Sequence, residues 1–210
     1  MKKKYSQCRS AAMIAGFVVL FALAAASALA AEKGMVEMIT DVAKEKGMIG
    51  AASFDPQGKL MLPKDYRRWV FVGAPVTPND MNGGKAAFPE FHHVYIDPGS
   101  FKLYQETGKF RDGTVIVKEL ATVGGKKGAS GNGYFPGEFN GLAVAVKSSS
   151  RFADEPGNWG YFNFGGEGGK LKESARAQET AACSPCHQKN AAQDLVFTQY
   201  YPVLRAARAK

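Results

Sequence analysis

Residues 180–190 read TAACSPCHQKN, and within them Cys183-Ser184-Pro185-Cys186-His187 places two thiols and an imidazole in five residues. The 210-residue sequence contains only three cysteines and three histidines in all. This cluster constrains the fold more than any other feature, because whatever it holds must be seated against the rest of the domain. Three chemistries suit it. A disulfide is the default for paired cysteines in an exported chain. A zinc site wants four ligands, and the remaining histidines are the adjacent His92 and His93. C-x-x-C-H is also the attachment motif of a c-type haem. There, two thiols two residues apart add across the haem vinyl groups, and the next residue turns its imidazole to the iron. Haem chemistry explains each position and is the favoured reading. Cys183 and Cys186 are then the thioether anchors and His187 the proximal metal ligand.

The other end of the chain supports that reading. Lys2, Lys3, Lys4 and Arg9 precede an apolar run over 11–26, and Ala28-Leu29-Ala30 forms an A-x-A cleavage site. This is the layout of a secretory signal peptide, and residues 1–30 are expected to be removed on export to the periplasm. An uncleaved anchor is the alternative, since the run is almost long enough to span a bilayer. Loss of Lys2, Lys3, Lys4 and Arg9 brings the formal charge from +8 to +4, and Cys8 leaves with them. The remaining lysines are scattered, and no basic helix or RNP-like motif points to nucleic acid. Residues 31–48 then form an N-terminal extension, with a short amphipathic helix or linker at 34–47. Residues 49–210 form one domain.

Within that domain, Pro63 can open a helical turn. Strands are expected at 69–73, 91–97, 114–123, 141–147 and 159–164, where Val, Tyr and Phe recur in alternation. Gly-, Pro- and Asn-rich stretches such as GGKKGASGNGYFPGEFNG separate them. A short helix is expected at PGSFKLYQETGKF, and helices at 174–190 and about 194–207 close the chain. The fold class is therefore α+β, mainly β: an antiparallel sheet of about five strands with flanking helices, and the C-x-x-C-H motif on a C-terminal helix. Small c-type cytochromes are ordinarily helical, so a sheet in this position is unusual.

One strand carries a charge in the wrong place. In 114–123, alternation puts Ile116, Lys118 and Leu120 on one face and Val115, Val117, Glu119, Ala121 and Val123 on the other. A buried ammonium tends to lose its proton and become nucleophilic. Pattern alone favours an edge strand, with the lysine snorkelling to water.

The stretches LMLPKDYRRWVFVGAPVTPN, HHVYIDPGSF, TGKFRDGTVIVKEL, GNGYF, RFADEPGNWGYFNF, CSPCH and DLVFTQYYPVLRAA, in this order, resemble the cytochrome P-460 family over nearly all of 50–207. The resemblance implies a β-rich periplasmic homodimer that oxidises hydroxylamine to nitrous oxide, nitric oxide or both. It also implies a five-coordinate haem bonded to a lysine amine as well as to the two thioethers, with electrons passing to an acceptor such as a small cytochrome c. The matching lysine is Lys118 in VIVKEL, which reverses the edge-strand preference. Lys102 and Lys109 are the rivals, in helix or turn context. Family members can carry a distal carboxylate, but the strand GLAVAVK offers Ala143 and Ala145. His92 or His93 can reach the pocket, since alternation sends them to opposite faces. Glu138 and Asp112 read as turn acids. Tyr134, Phe135, Trp159, Tyr161 and Phe162 read as core, one or two of them walling the haem. Met61 and Met81 are the candidate sixth ligands. Two other functions stay open: a gas-binding protein of the cytochrome c′-beta type without the lysine bond, and an electron-transfer cytochrome.

Overall fold

A computed structural model describes residues 52–165 and 169–207. The expected signal peptide and extension, with Cys8, lie outside the described residues. Among the described residues seven strands follow in chain order: β1 (Leu60–Met61), β2 (Val70–Gly73), β3 (Phe91–Ile96), β4 (Val115–Gly128), β5 (Gly131–Lys147), β6 (Trp159–Asn163) and β7 (Ser174–Ala175). The helices are α1 (Pro98–Thr107), α2 (Thr180–Asn190) and α3 (Pro202–Ala207). The main sheet has the order β2-β3-β4-β5-β6, and each neighbouring pair is antiparallel. A small second sheet pairs β1 with β7. The fold is mainly β with a five-stranded antiparallel sheet, as the alternation pattern predicts.

The strand carrying Lys118 is central, not an edge. Lys118 stands opposite Val94 on β3 and Ala143 on β5. Pattern alone misplaces it because alternation reports faces and not the lateral order of strands. Both faces of β4 are covered where it begins, over the unbroken apolar run Val115-Ile116-Val117. On one side Val115, Val117, Leu142, Val144, Val146 and Phe162 pack with Leu60, Tyr66 and Phe164. On the other, Val94, Ile96, Ile116 and Trp159 pack with Tyr104, Phe110, Tyr201 and Leu204.

Helix α1 is defined at both ends. Pro98 begins it, the Asp97 carboxylate accepts from Ser100 N–H at 2.8 Å, and Gly108 closes it in the left-handed conformation. The second oxygen of Asp97 accepts from Val115 N–H at 2.9 Å and ties the helix to β4. Gly73 lets the chain entering α3 lie directly on β2: a Cβ there would meet the Tyr200 carbonyl oxygen at 3.0 Å and Pro202 Cδ at 3.2 Å.

Three expectations are corrected. The Gly-rich stretch after residue 123 is no loop, because β4 and β5 continue as a bulged hairpin to Gly128 and Gly131. The helix expected from 174 begins at Thr180, since Ser174 and Ala175 pair with β1. The helix expected over 194–207 is confined to a 3-10 turn at Thr198–Tyr200 and to α3.

Candidate haem site

Register sorts the candidate residues by face. Directly paired residues of an antiparallel sheet point to the same side. The rows Ile96–Ile116–Ala145–Tyr161, Val94–Lys118–Ala143–Asn163 and His92–Leu120–Gly141 therefore share one face. His187 packs on that face, with its ring 4.5 Å from the Tyr161 ring and 4.7 Å from Phe197. Lys118, Ala143, His92 and His187 thus come to one side of the sheet. His93 pairs with Glu119 on the opposite side.

Helix α2 presents the cysteines. Ser184 is buried, Cys183 and His187 are half-buried, and Cys186 is exposed. Residues 183 and 184 both lie on the helix face of 187, as spacings of four and three require. The imidazole is tightly held: Nδ1 lies 2.7 Å from the Leu195 carbonyl oxygen. A carbonyl only accepts, so Nδ1 carries the proton and Nε2 keeps its lone pair. Burial pulls the His187 pKa down, and the Lys118 charge acts in the same direction against that hydrogen bond. A neutral imidazole with a free Nε2 is the form that ligates a metal. A cavity of about 40 Å³ lies among Ile116, Ala145, Trp159, Tyr161 and His187. That is small against the few hundred Å³ of a cofactor pocket, so it belongs to the packing around the imidazole.

Lys118 is half-buried, and its ammonium sits 4.3 Å from the centre of the Phe88 ring. Among the described residues it forms no salt bridge. Burial lowers its pKa, while Cys183, Glu90 and Cys186 act to raise it. The Cys183 thiol is pushed up by burial and drawn back by Lys118. His92 is driven down to about 4, first by burial and then by Lys118, with Glu90 opposing. These mutual effects place both cysteines, Glu90, His92 and His187 within electrostatic reach of one amine.

Glu90 and Asn140 are the residues that sequence reading missed. Asn140 Nδ2 donates to Glu90 Oε1 at 3.3 Å. Glu90 was legible, since it lies two residues before His92 and shares its parity. Asn140 was not: it is the extra residue of a bulge, where Leu120 pairs with Gly141 and Ala121 with Phe139. The remaining candidates are elsewhere. Lys102, Lys109, Glu138 and Asp112 are exposed, and Asp112 accepts from Ser149 N–H at 2.6 Å. Met61 and Met81 are also exposed. Tyr134 bonds Asp80 at the surface, and Phe162 belongs to the opposite core.

Three observations test whether a haem suits this face. Cys183 and Cys186 are both free thiols. Glu90 Oε2, His92 Nε2, Asn140 Oδ1 and Tyr161 Oη are buried without a hydrogen-bond partner, an expensive arrangement unless something meets them. Of the eleven residues of α2, only Ser184 is buried, so the helix has no apolar stripe of its own to seat it on the sheet. A large group joined to Cys183 and Cys186 and packed against Lys118, Ala143 and Tyr161 would answer all three. Among the described residues, no cluster of three His, Cys, Asp or Glu side chains could hold a bare metal ion.

The site is that of a mainly β domain that sets two free thiols, an imidazole and a half-buried amine against one face of its sheet. The family model for cytochrome P460 matches residues 63–198. That is well over half of the chain, which therefore belongs to the cytochrome P460 family and is a haem protein. No curated protein matches it as a relative.

Proposed function

We propose that this chain is a periplasmic enzyme that oxidises hydroxylamine, to nitrous oxide, nitric oxide or both. Its haem is attached through Cys183 and Cys186, ligated by His187 and cross-linked to the amine of Lys118. The observation that carries this reading is Lys118 itself. It is a half-buried amine without a salt bridge among the described residues, on the face of His187 and within electrostatic reach of both cysteines. Burial favours its neutral form, which is the nucleophilic one.

Bound here, a haem would supply the redox chemistry for oxidation at the substrate nitrogen. The chain's own residues handle the protons. Oxidation of hydroxylamine releases protons with its electrons, and a nearby base speeds that release. Ala143 offers none. Glu90 keeps one oxygen free while Asn140 holds the other, and His92 is neutral at pH 7 with a free Nε2. These two are the proton acceptors of the site. Phe88, lying against the Lys118 amine, shields it from water. The protein works as a homodimer and passes its electrons to a small periplasmic cytochrome c.

A second reading is favoured by one observation, the alanines at 143 and 145 beside Lys118 and Ile116. A small apolar pocket suits gas binding of the cytochrome c′-beta type without the lysine bond. Tandem mass spectrometry of a digest separates the two. A haem peptide joining residues around 118 to residues 183–187 is expected. Haem on the C-terminal peptide alone assigns the protein to gas binding. Haem that comes away freely in acid–acetone overturns both.

A further inference from the structure

The turn that follows α2 is strained. Asp194 (φ 44°) and Leu195 (φ 59°) are consecutive residues in the left-handed region, which leucine avoids. Such strain persists only where its surroundings over-determine it, and its presence is a reason to ask what it serves. Three sets of contacts hold the turn. Gln193 donates from Nε2 to the Gly108 carbonyl at 2.5 Å and accepts from the Tyr104 hydroxyl at 2.9 Å. The Asp194 carboxylate takes the Lys147 ammonium at 3.0 Å and Trp159 Nε1–H at 3.4 Å. Val196 N–H closes the turn onto the Gln193 carbonyl at 2.7 Å. What the strain delivers is one atom: the Leu195 carbonyl oxygen, 2.7 Å from His187 Nδ1.

We infer that residues 193–196 form a clip that sets the donor strength of His187 toward the haem iron, with Asp194 as its positioning residue. This rests on the reading of His187 as axial ligand. A carbonyl held rigidly on Nδ1–H fixes the tautomer, orients the ring and makes Nε2 more basic. Ligand basicity and the hydrogen bonding behind it are levers on haem potential. Asp194 connects that lever to the sheet. Lys147 and Trp159 face each other across β5 and β6, and Lys147 also donates to the Gly157 carbonyl at 2.6 Å. One carboxylate thus transmits the position of two strands to the proximal imidazole.

The test is ferrous resonance Raman spectroscopy with a redox titration of the holoprotein. Asp194→Ala should lower the iron–histidine stretching frequency and raise the midpoint potential, because a loosened carbonyl leaves a weaker donor. Asp194→Asn keeps an oxygen for Trp159 and tolerates the left-handed backbone, so it should restore most of both values. Asp80→Asn, which breaks the exposed Lys126–Asp80 pair, should change neither. If Asp194→Ala does not fold, Lys147→Met should move both readouts in the same direction by less. A histidine-ligated variant with band and potential unchanged overturns the clip. A wild-type protein without an iron–histidine band instead overturns the ligand assignment, and the clip with it.

Discussion

Lys118 and Glu119 are neighbours on β4 that face opposite sides of the sheet, and their surroundings differ in one respect. Glu119 is 3% exposed and paired: the Tyr66 hydroxyl and the Arg67 guanidinium both donate to its Oε1. Burial and that bond drive the Tyr66 pKa up, so its hydroxyl stays a donor. On the side of Lys118, several polar atoms are gathered and left unmet, Glu90 Oε2, His92 Nε2 and Asn140 Oδ1, against one, His93 Nδ1, on the side of Glu119. A completed network is what holds a fold together, and an incomplete one marks where something else is to be bound. The same strand therefore has a structural face and a functional face, one residue apart.

The largest expected effect on stability lies on the completed face. Glu119→Ala removes the acceptor of two side chains and leaves the Tyr66 hydroxyl facing a buried gap. The loss should be about 2–3 kcal/mol, the scale of a charged hydrogen bond removed from one side. Urea unfolding measures it. The haem spectrum of the folded fraction should be unchanged. A shifted spectrum would mean that the two faces are not independent.

A smaller effect belongs to His92, on the open face. Its folded pKa of about 4 lies below the ordinary 6.5, mainly through burial. Between those values the unfolded chain binds the proton and the folded chain does not, so stability rises with pH. The contribution is complete above about pH 6.5 and is lost as pH falls toward 4; the full shift corresponds to about 3 kcal/mol, which solvent screening of a half-buried ring reduces to about 2 kcal/mol. His92→Phe should flatten that part of the stability–pH curve. An unchanged curve would show that His92 does not stay neutral in the fold.

The difference between the faces was only half legible in the sequence. Alternation placed Lys118 with Ile116 and Glu119 with Val117, and the five strands fell where Val, Tyr and Phe alternate. What alternation cannot report is which strand lies beside which, so Lys118 read first as an edge residue. The β4–β5 arm was hidden because glycine weakens the strand signal: residues 124–128 read as a loop, yet cross-strand pairing holds them extended. The turn at Asp194–Leu195 read as helix, because its left-handed backbone is imposed by Lys147, Trp159, Gly108 and Tyr104 from distant parts of the chain. C-x-x-C-H needed no tertiary information. Glu90 needed only parity with His92, whereas Asn140 depended on a bulge that no local pattern announces.

The smallest expected effect on stability, and the sharpest contrast with Glu119, comes from Lys118→Met. Methionine fills a similar volume without a charge, so a desolvated amine is removed and no served partner is left behind. Loss of a haem tether works against that gain, and the net change should stay below about 1 kcal/mol. Thioether attachment through Cys183 and Cys186 should be intact. The spectrum should change far more than the stability. A lysine bonded to a meso carbon interrupts ring conjugation, so the wild-type ferrous Soret band should lie to the red of an ordinary c-type haem, and the variant should return to the ordinary position. Hydroxylamine oxidation should fall more than nitric oxide binding, since binding does not call on the lysine bond. If Lys118→Met instead unfolds the protein as Glu119→Ala does, the amine has a structural partner and the two faces of β4 are alike. If it leaves the ferrous band in place, the lysine is not bonded to the ring.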